Sequence, residues 1–114
     1  MLTAIDRVLA ALDAGQVADK TLLKTAVKDS LASLVELAPG RSVEVRIPPF
    51  AAVQAIPGAT HRRGTPPAVV ETDPVTWLLM CSGRLSWQEA RSSGKVHASG
   101  ERSDLSQWLP LKVA

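Results

Sequence analysis

The side chains that could do chemistry in this sequence are few and lie far apart. Cys81, His61 and His97 share no C-x-x-C or H-E-x-x-H spacing, so the sequence predicts no zinc site. A cysteine nucleophile also needs a neighbouring base that generates its thiolate. Cys81 stands late in an apolar helical segment, which predicts a buried and unreactive thiol.

Residues that could support acid–base catalysis or phosphate binding are equally scarce. Asp73 and Asp104 stand at predicted helix starts, and Glu89 pairs with Ser86 in a capping box, so these carboxylates have structural roles. His97 falls on the polar side of an alternating strand, and neither common glycine-rich phosphate pattern occurs. We therefore expect no catalytic residue, no bound metal, no cofactor and no enzymatic activity.

Three of the four aromatic residues are tryptophans, at positions 77, 87 and 108. Their rings could stack on a planar ligand, or they could anchor an otherwise aliphatic core. We favour the second role, in which each buried indole N–H needs a hydrogen-bond partner.

One local cluster of basic residues occurs, at His61, Arg62 and Arg63, within a segment rich in proline and glycine that runs from 57 to 67. Two interpretations stay open. The segment is either a solvated hairpin connection between two strands, or the mouth of a cavity. In the second case the guanidinium groups would bind a carboxylate, phosphate or sulfate.

Helical periodicity predicts two amphipathic helices at the start of the chain. The first begins at Thr3 and ends at Gly15, and the second runs from Asp19 or Thr21 to the Pro39-Gly40 pair. We expect both to cover a sheet, while binding of the second to a lipid surface through its lysines is the alternative. Their apolar positions are Ile5, Val8, Leu9 and Leu12, then Leu23, Val27, Leu31, Leu34 and Val35.

The strands follow from alternation and from small apolar runs. Residues 42–47 alternate and predict a strand with one buried face. Residues 50–56 are small and apolar at most positions, which indicates either a strand buried on both sides or one whose inner face lines a cavity. Residues 69–100 predict strand, helix, helix and strand, and Ser103 is the expected cap of a last short helical turn.

Size and charge narrow the classes of function. A chain of 114 residues suits one domain, and a net charge of +2 is too small and scattered for a nucleic-acid-binding surface. No apolar run approaches the ~20 residues that span a bilayer, and the N-terminus lacks a secretory pattern. A single cysteine suits a reducing compartment, so we expect a cytoplasmic protein without integral membrane association.

Several short patterns occur together in the second half of the chain. They are Ile47-Pro48-Pro49-Phe50, Arg63-Gly64-Thr65-Pro66-Pro67, Val70-Glu71-Thr72-Asp73-Pro74, Trp77-Leu78, Ser82-Gly83-Arg84-Leu85-Ser86-Trp87, Glu89-Ala90, Ser93-Gly94-Lys95-Val96 and Ala98-Ser99-Gly100. Joined over roughly residues 38–111, they resemble sterol-carrier-protein-like domains. More narrowly, the chain is similar to the actinobacterial branch known as bacterial SCP orthologues.

The resemblance implies an α+β fold in which helices cover a mostly antiparallel sheet of about four to five strands. We expect one sterol-carrier-like domain over residues 1–114, with the N-terminal helices in 1–38 and the sheet and its covering helices in 39–111. It also implies an apolar ligand held between sheet and helices, without a catalytic residue.

We therefore expect a non-enzymatic binding or carrier module for a lipid, fatty-acyl or sterol-like molecule. The candidate wall residues are Val53, Trp77, Leu78 and Leu79, and the candidates for the head-group end are Arg62 and Arg63. The alternative is an accessory or protein-interaction domain whose core is filled and which binds no ligand. Homodimerisation through an exposed sheet edge is a variant of that alternative.

Overall fold

The fold is that of a computed structural model, in which residues 3–58, 68–100 and 103–111 are described. The predicted α+β class is confirmed, including the pair of helices at the start. In chain order the elements are α1 Ala4–Asp13, α2 Lys20–Leu37, β1 Val43–Ile47, β2 Ala51–Ala55, β3 Ala68–Thr72, α3 Pro74–Cys81, α4 Trp87–Ser92, β4 Val96–Ser99 and a 3-10 turn Ser106–Trp108.

The strands form a mixed four-stranded sheet in the order β2-β1-β3-β4. β1 pairs antiparallel with β2, and β3 pairs antiparallel with β4, whereas the central strands β1 and β3 are parallel. The expectation of a mostly antiparallel sheet holds. β2 and β3 are not neighbours in the sheet, since β1 lies between them, so the interpretation of residues 57–67 as a hairpin connection is wrong.

Only one face of the sheet is covered by helices. Val43, Val45 and Ile47 of β1 are fully buried on this face, as their alternation predicts. On β2, Ala52 and Gln54 are exposed, so the expectation of a strand buried on both sides is wrong. β2 stands at the edge of the sheet, and its second face is open to solvent.

The open face carries polar side chains in register across the strands. Arg46 donates two hydrogen bonds to the carboxylate of Glu44, from Nε at 3.1 Å and from a terminal nitrogen at 3.2 Å. This carboxylate raises the pKa of the Arg46 guanidinium above its ordinary value, and Glu71 on β3 adds to the effect. Such side chains are typical of a solvated sheet face.

The helix ends lie where the sequence signals place them. Thr3 and Asp6 form a complete capping box at α1, and the Asp19 carboxylate accepts the N–H groups of Thr21 and Leu22 at the start of α2. Asp73 caps α3 ahead of Pro74, and Ser86 caps α4. Each cap satisfies donors that a helix start would otherwise leave unpaired.

The last turn has a different cap from the expected one. Ser103 is buried, and the Asp104 carboxylate instead accepts the Ser106 N–H at 2.7 Å. Hydrogen bonds from Ser106 lower the pKa of Asp104 below its ordinary value. The chain then returns to α3, where the Leu111 N–H donates to the carbonyl of Cys81 at 3.0 Å.

The core lies between α2, α3 and the covered sheet face. α1 packs against α2, and α2 packs against both α3 and β2. The largest fully buried side chains include Trp77, Leu31, Leu34, Ile47 and Leu78. Across the described ranges, no helix has the length and apolar character needed to cross a membrane.

Candidate ligand-binding cleft

A cleft of about 660 Å³ opens between α1, α2 and the C-terminal end of α3. Its volume falls within the range of about 300–1,000 Å³ found for small-molecule sites. Its wall combines four apolar or thiol side chains with a set of polar ones. The lining residues are Thr3, Ile5, Asp6, Leu9, Asp29, Ser33, Cys81, Ser82, Arg84 and Leu111.

Helical periodicity brings the two long walls together. Ile5 and Leu9 stand one turn apart on α1, so they share one side of that helix. Asp29 and Ser33 stand one turn apart on α2 and also line the cleft. Where α1 packs on α2, the cleft therefore has Ile5, Leu9 and Asp6 from one helix and two polar side chains from the other.

The floor of the cleft is apolar, and the one thiol in it is unreactive. The Cys81 thiol is only 3% exposed, and burial raises its pKa far above the ordinary value, with a smaller opposing effect from a hydrogen bond with Ser30. A protonated thiol is a poor nucleophile. Leu111 covers the floor beside it and is held there by its backbone bond to Cys81.

Among the described residues, the rim carries more carboxylates than cations. Asp6 and Asp29 both line the cleft, whereas Arg84 is the one cationic lining residue within the described ranges and is bound to Asp13. The Asp6 carboxylate accepts the Thr3 N–H at 3.2 Å. An anionic head group would therefore meet two carboxylates and a guanidinium that already has a partner.

A second depression lies on the other side of the end of α3. It measures about 250 Å³ and is bounded by Met80, Trp87 and Leu109 together with neighbouring polar residues. This volume is below the usual lower limit for a ligand pocket, about 300 Å³. The cleft between α1 and α2 is therefore the better candidate.

The predicted wall residues lie elsewhere. Trp77 and Leu78 are fully buried in the core, and the Trp77 indole N–H donates to the Ser30 hydroxyl at 2.8 Å. The interpretation of Trp77 as a hydrogen-bonded core anchor is thereby confirmed. Leu79 is half-buried on α3, and Val53 is half-buried on the covered side of β2.

None of these four residues lines the cleft, and their contact with a ligand stays a prediction. Arg62 and Arg63, the predicted head-group residues, lie outside the described residues. In the part of the chain that the structure describes, no three His, Cys, Asp or Glu side chains are grouped as a metal site would require.

The lining residues of the cleft that could not be predicted from the sequence lie mainly on α1, together with Asp29 and Ser33 on α2. Ile5 and Leu9 belong to the apolar stripe of α1, which predicts packing but does not tell a packed side chain from a cleft wall. Asp29 and Ser33 look like ordinary solvated positions of α2. Their shared spacing of four residues was the available signal.

The fold and this cleft define an α+β domain in which helices cover one sheet face and enclose between them a groove with an apolar floor and a polar rim. The family model described as bacterial SCP ortholog matches residues 19–111, which is more than half of the chain. The chain therefore belongs to this sterol-carrier-protein-like family, and the family indicates a lipid-carrier type of domain. No curated protein matches the sequence.

The matched segment includes α2, α3 and the sheet but not α1. Asp29, Ser33, Cys81 and Leu111 therefore come from the matched part of the chain, whereas the lining residues of α1 precede it. α1 completes the cleft by packing on α2.

Proposed function

We propose that this protein is a non-enzymatic carrier that binds an amphipathic small molecule in the cleft between α1 and α2. The observation that carries the proposal is the cleft itself, which has an apolar floor, a polar rim and a volume of about 660 Å³. The one thiol among the described lining residues, Cys81, is held protonated by burial. Binding without chemical conversion is the function that such a wall supports.

The driving force would be removal of hydrocarbon from water over Ile5, Leu9 and Leu111. Each buried methylene contributes about 0.8 kcal/mol, so ten of them give roughly 8 kcal/mol before the costs of association. Polar lining side chains would then fix the orientation of the ligand. No lining residue has to react.

The rim favours an uncharged polar end over a carboxylate. Asp6 and Asp29 repel an anion, while Ser33 and Ser82 offer hydroxyl groups to a neutral one. Arg84 compensates one of these two carboxylates at most, and it also pairs with Asp13 at the surface. Among the lipid, fatty-acyl and sterol-like ligands that we expect, a sterol-like alcohol fits this rim better than a free fatty acid.

The test is equilibrium titration of the protein with a fluorescent sterol and with a fluorescent fatty acid. The proposal expects saturable binding of one sterol per chain and weaker binding of the fatty acid. Absence of saturable binding of either probe would contradict the proposal.

A second candidate is a ligand-free accessory or protein-interaction domain. It is favoured by the filled space between the helices and the sheet, where Trp77, Leu78 and Leu34 are fully buried. Mass spectrometry of small molecules that co-purify with the protein separates the two candidates. A stoichiometric apolar molecule supports the carrier, and a protein free of one supports the accessory role.

A further inference from the structure

β2 is an edge strand with an unusually unprotected sequence. It lies at one end of the sheet, and within the described ranges no strand pairs with its outer side. All five residues, Ala51–Ala55, are uncharged, and the strand contains no proline. Edge strands usually carry charges, prolines or bulges that prevent pairing with another chain. Ala55 at the end of the strand is fully buried, so the part of this edge that an added strand could reach is the first part of β2, from Ala51 to Gln54.

Lysines stand beside the start of this edge strand. Lys20 and Lys24 border a depression of about 350 Å³ together with Thr21, Pro49 and Phe50. Pro49 and Phe50 are the residues that lead directly into β2. The depression is therefore continuous with the beginning of the edge strand, and its polar side is cationic.

α2 carries these lysines along β2. The two elements pack together and run in the same direction, since Lys24 lies near Phe50 at one end and the Ile56 N–H donates to the Ala38 carbonyl at the other. Lys28 follows Lys24 by one turn and so lies on the same side of the helix.

The nearby carboxylates of α2 offset this row only in part. Asp29 lines the cleft on another side of α2. Asp19 keeps its negative charge while it accepts two backbone N–H groups at the helix start, and it can offset one of the three lysines. A row of lysines beside a bare edge strand therefore remains available to an acidic partner.

We propose that the β2 edge binds an extended acidic segment of another protein by strand addition. Backbone hydrogen bonds to β2 would hold the segment, carboxylates would pair with Lys20 and Lys24, and one apolar side chain would rest on Phe50. A second copy of β2 fits less well, because Ala51–Ala55 brings no carboxylate to these lysines. The lysines thus select for acidic strands.

The test uses NMR titration of the isotope-labelled protein with a short peptide of alternating glutamate and valine. Shifts should concentrate at β2, Phe50 and the first turns of α2, with saturation below about 1 mM, an ordinary affinity for a small exposed site. Raising the salt from about 0.05 M to about 0.5 M should weaken binding, because exposed ion pairs are screened. The same peptide with N-methylated alternate residues should lose binding, because it cannot donate backbone hydrogen bonds.

The charge requirement is tested by the double variant Lys20→Glu, Lys24→Glu, which should bind the acidic peptide about tenfold more weakly. Lys95→Glu is the matched control, since Lys95 is exposed beside β4 at the opposite edge of the sheet and should leave affinity unchanged.

Five outcomes would overturn the proposal, four of them with peptides or the protein alone and one with vesicles. The first four are no shifts at the highest peptide concentration, equal binding of the N-methylated peptide, equal binding of a lysine–valine peptide, and a dimer of the protein that occupies the β2 edge. Vesicles of anionic lipid provide the last comparison. If the lysines bind these vesicles and not the peptide, the surface is a membrane contact and the proposal is wrong.

Discussion

The indole N–H of Trp77 donates a hydrogen bond to the hydroxyl of Ser30 at 2.8 Å, and both residues are fully buried. The Ser30 hydroxyl in turn donates to the carbonyl of Val27 at 2.7 Å. This pair joins α3 to α2 across the centre of the core. It gives the single polar atom of the Trp77 ring a partner where water cannot reach it.

We predict that Ser30→Ala lowers the free energy of unfolding by about 1–3 kcal/mol, because the buried indole N–H loses its acceptor. Urea unfolding followed by circular dichroism measures the change. In a Trp77→Phe background the same substitution should cost much less, since no donor remains to be orphaned. Equal costs in the two backgrounds would show that the hydrogen bond contributes nothing.

The contact between Ser30 and Trp77 also marks the limit of what local sequence patterns predict. Such patterns predict the Asp73-Pro74 start of α3 and the Ser86 cap of α4 correctly, because both depend on residues within one turn. A partner 47 positions away leaves no such signal. Nothing in the apolar stripe of α2 predicts that its one buried serine meets a tryptophan.

The order of the strands and the lining of the cleft could not be predicted from the sequence for a related reason. The alternation of 43–47 fixes which side chains of β1 are buried, but it does not fix which strand pairs on each side. The parallel pairing of β1 with β3 depends on the path of the intervening chain. The cleft likewise needs α1, α2 and the end of α3 together, so no single segment could have predicted its lining.

A glycine at the end of α2 is predicted to tolerate no side chain. Gly40 has φ +154°, and an added Cβ would overlap the carbonyl group of Ile56. That carbonyl is held in place, because it accepts both the N–H of Ser42 at 3.2 Å and its hydroxyl at 2.8 Å. The backbone therefore has little freedom to move away.

Gly40→Ala should accordingly lower the free energy of unfolding by about 3 kcal/mol or more. Gly15→Ala is the matched control, because Gly15 also has positive φ but faces open space. Its cost should be only about 1 kcal/mol, from backbone strain alone. Chemical denaturation of both variants measures the difference, and similar costs at the two sites would contradict the steric argument.

Stability should fall at alkaline pH because of Cys81. Burial raises the pKa of this thiol in the folded state, so the thiol stays protonated there while it ionises in the unfolded chain above a pKa of about 8.5. The contribution of the protonated thiol to stability is therefore complete below about pH 8.5 and is lost as the pH rises. The loss reaches about 2 kcal/mol near pH 10. The chain contains no tyrosine, whose ionisation would overlap this range.

Cys81→Ala removes the titrating group and should remove this part of the alkaline loss. We expect the difference in free energy of unfolding between the parent protein and the variant to shift against the parent by about 2 kcal/mol between about pH 7.5 and about pH 10. Urea unfolding with the thiol kept reduced gives both values. An advantage that is constant with pH would mean that the thiol ionises equally easily in the folded state.

Filling the cleft should weaken ligand binding without unfolding the protein. Ser33 is half-buried on the α2 wall, and its hydroxyl bonds only to the carbonyl of Asp29 one turn earlier, at 3.1 Å. Ser33→Trp therefore removes little and places an indole in the space where the ligand would lie. We expect sterol affinity to fall at least about tenfold, the loss that accompanies about 1.4 kcal/mol of binding free energy.

Ser92→Trp is the matched control, because Ser92 is exposed on α4 and its hydroxyl makes the same kind of bond to the Glu89 carbonyl. Its affinity for the fluorescent sterol should equal that of the parent protein. Circular dichroism and urea unfolding verify that both variants keep the fold. If Ser33→Trp binds the sterol as tightly as Ser92→Trp does, the ligand lies outside this cleft, and the buried wall that includes Trp77 and Leu78 becomes the place to search.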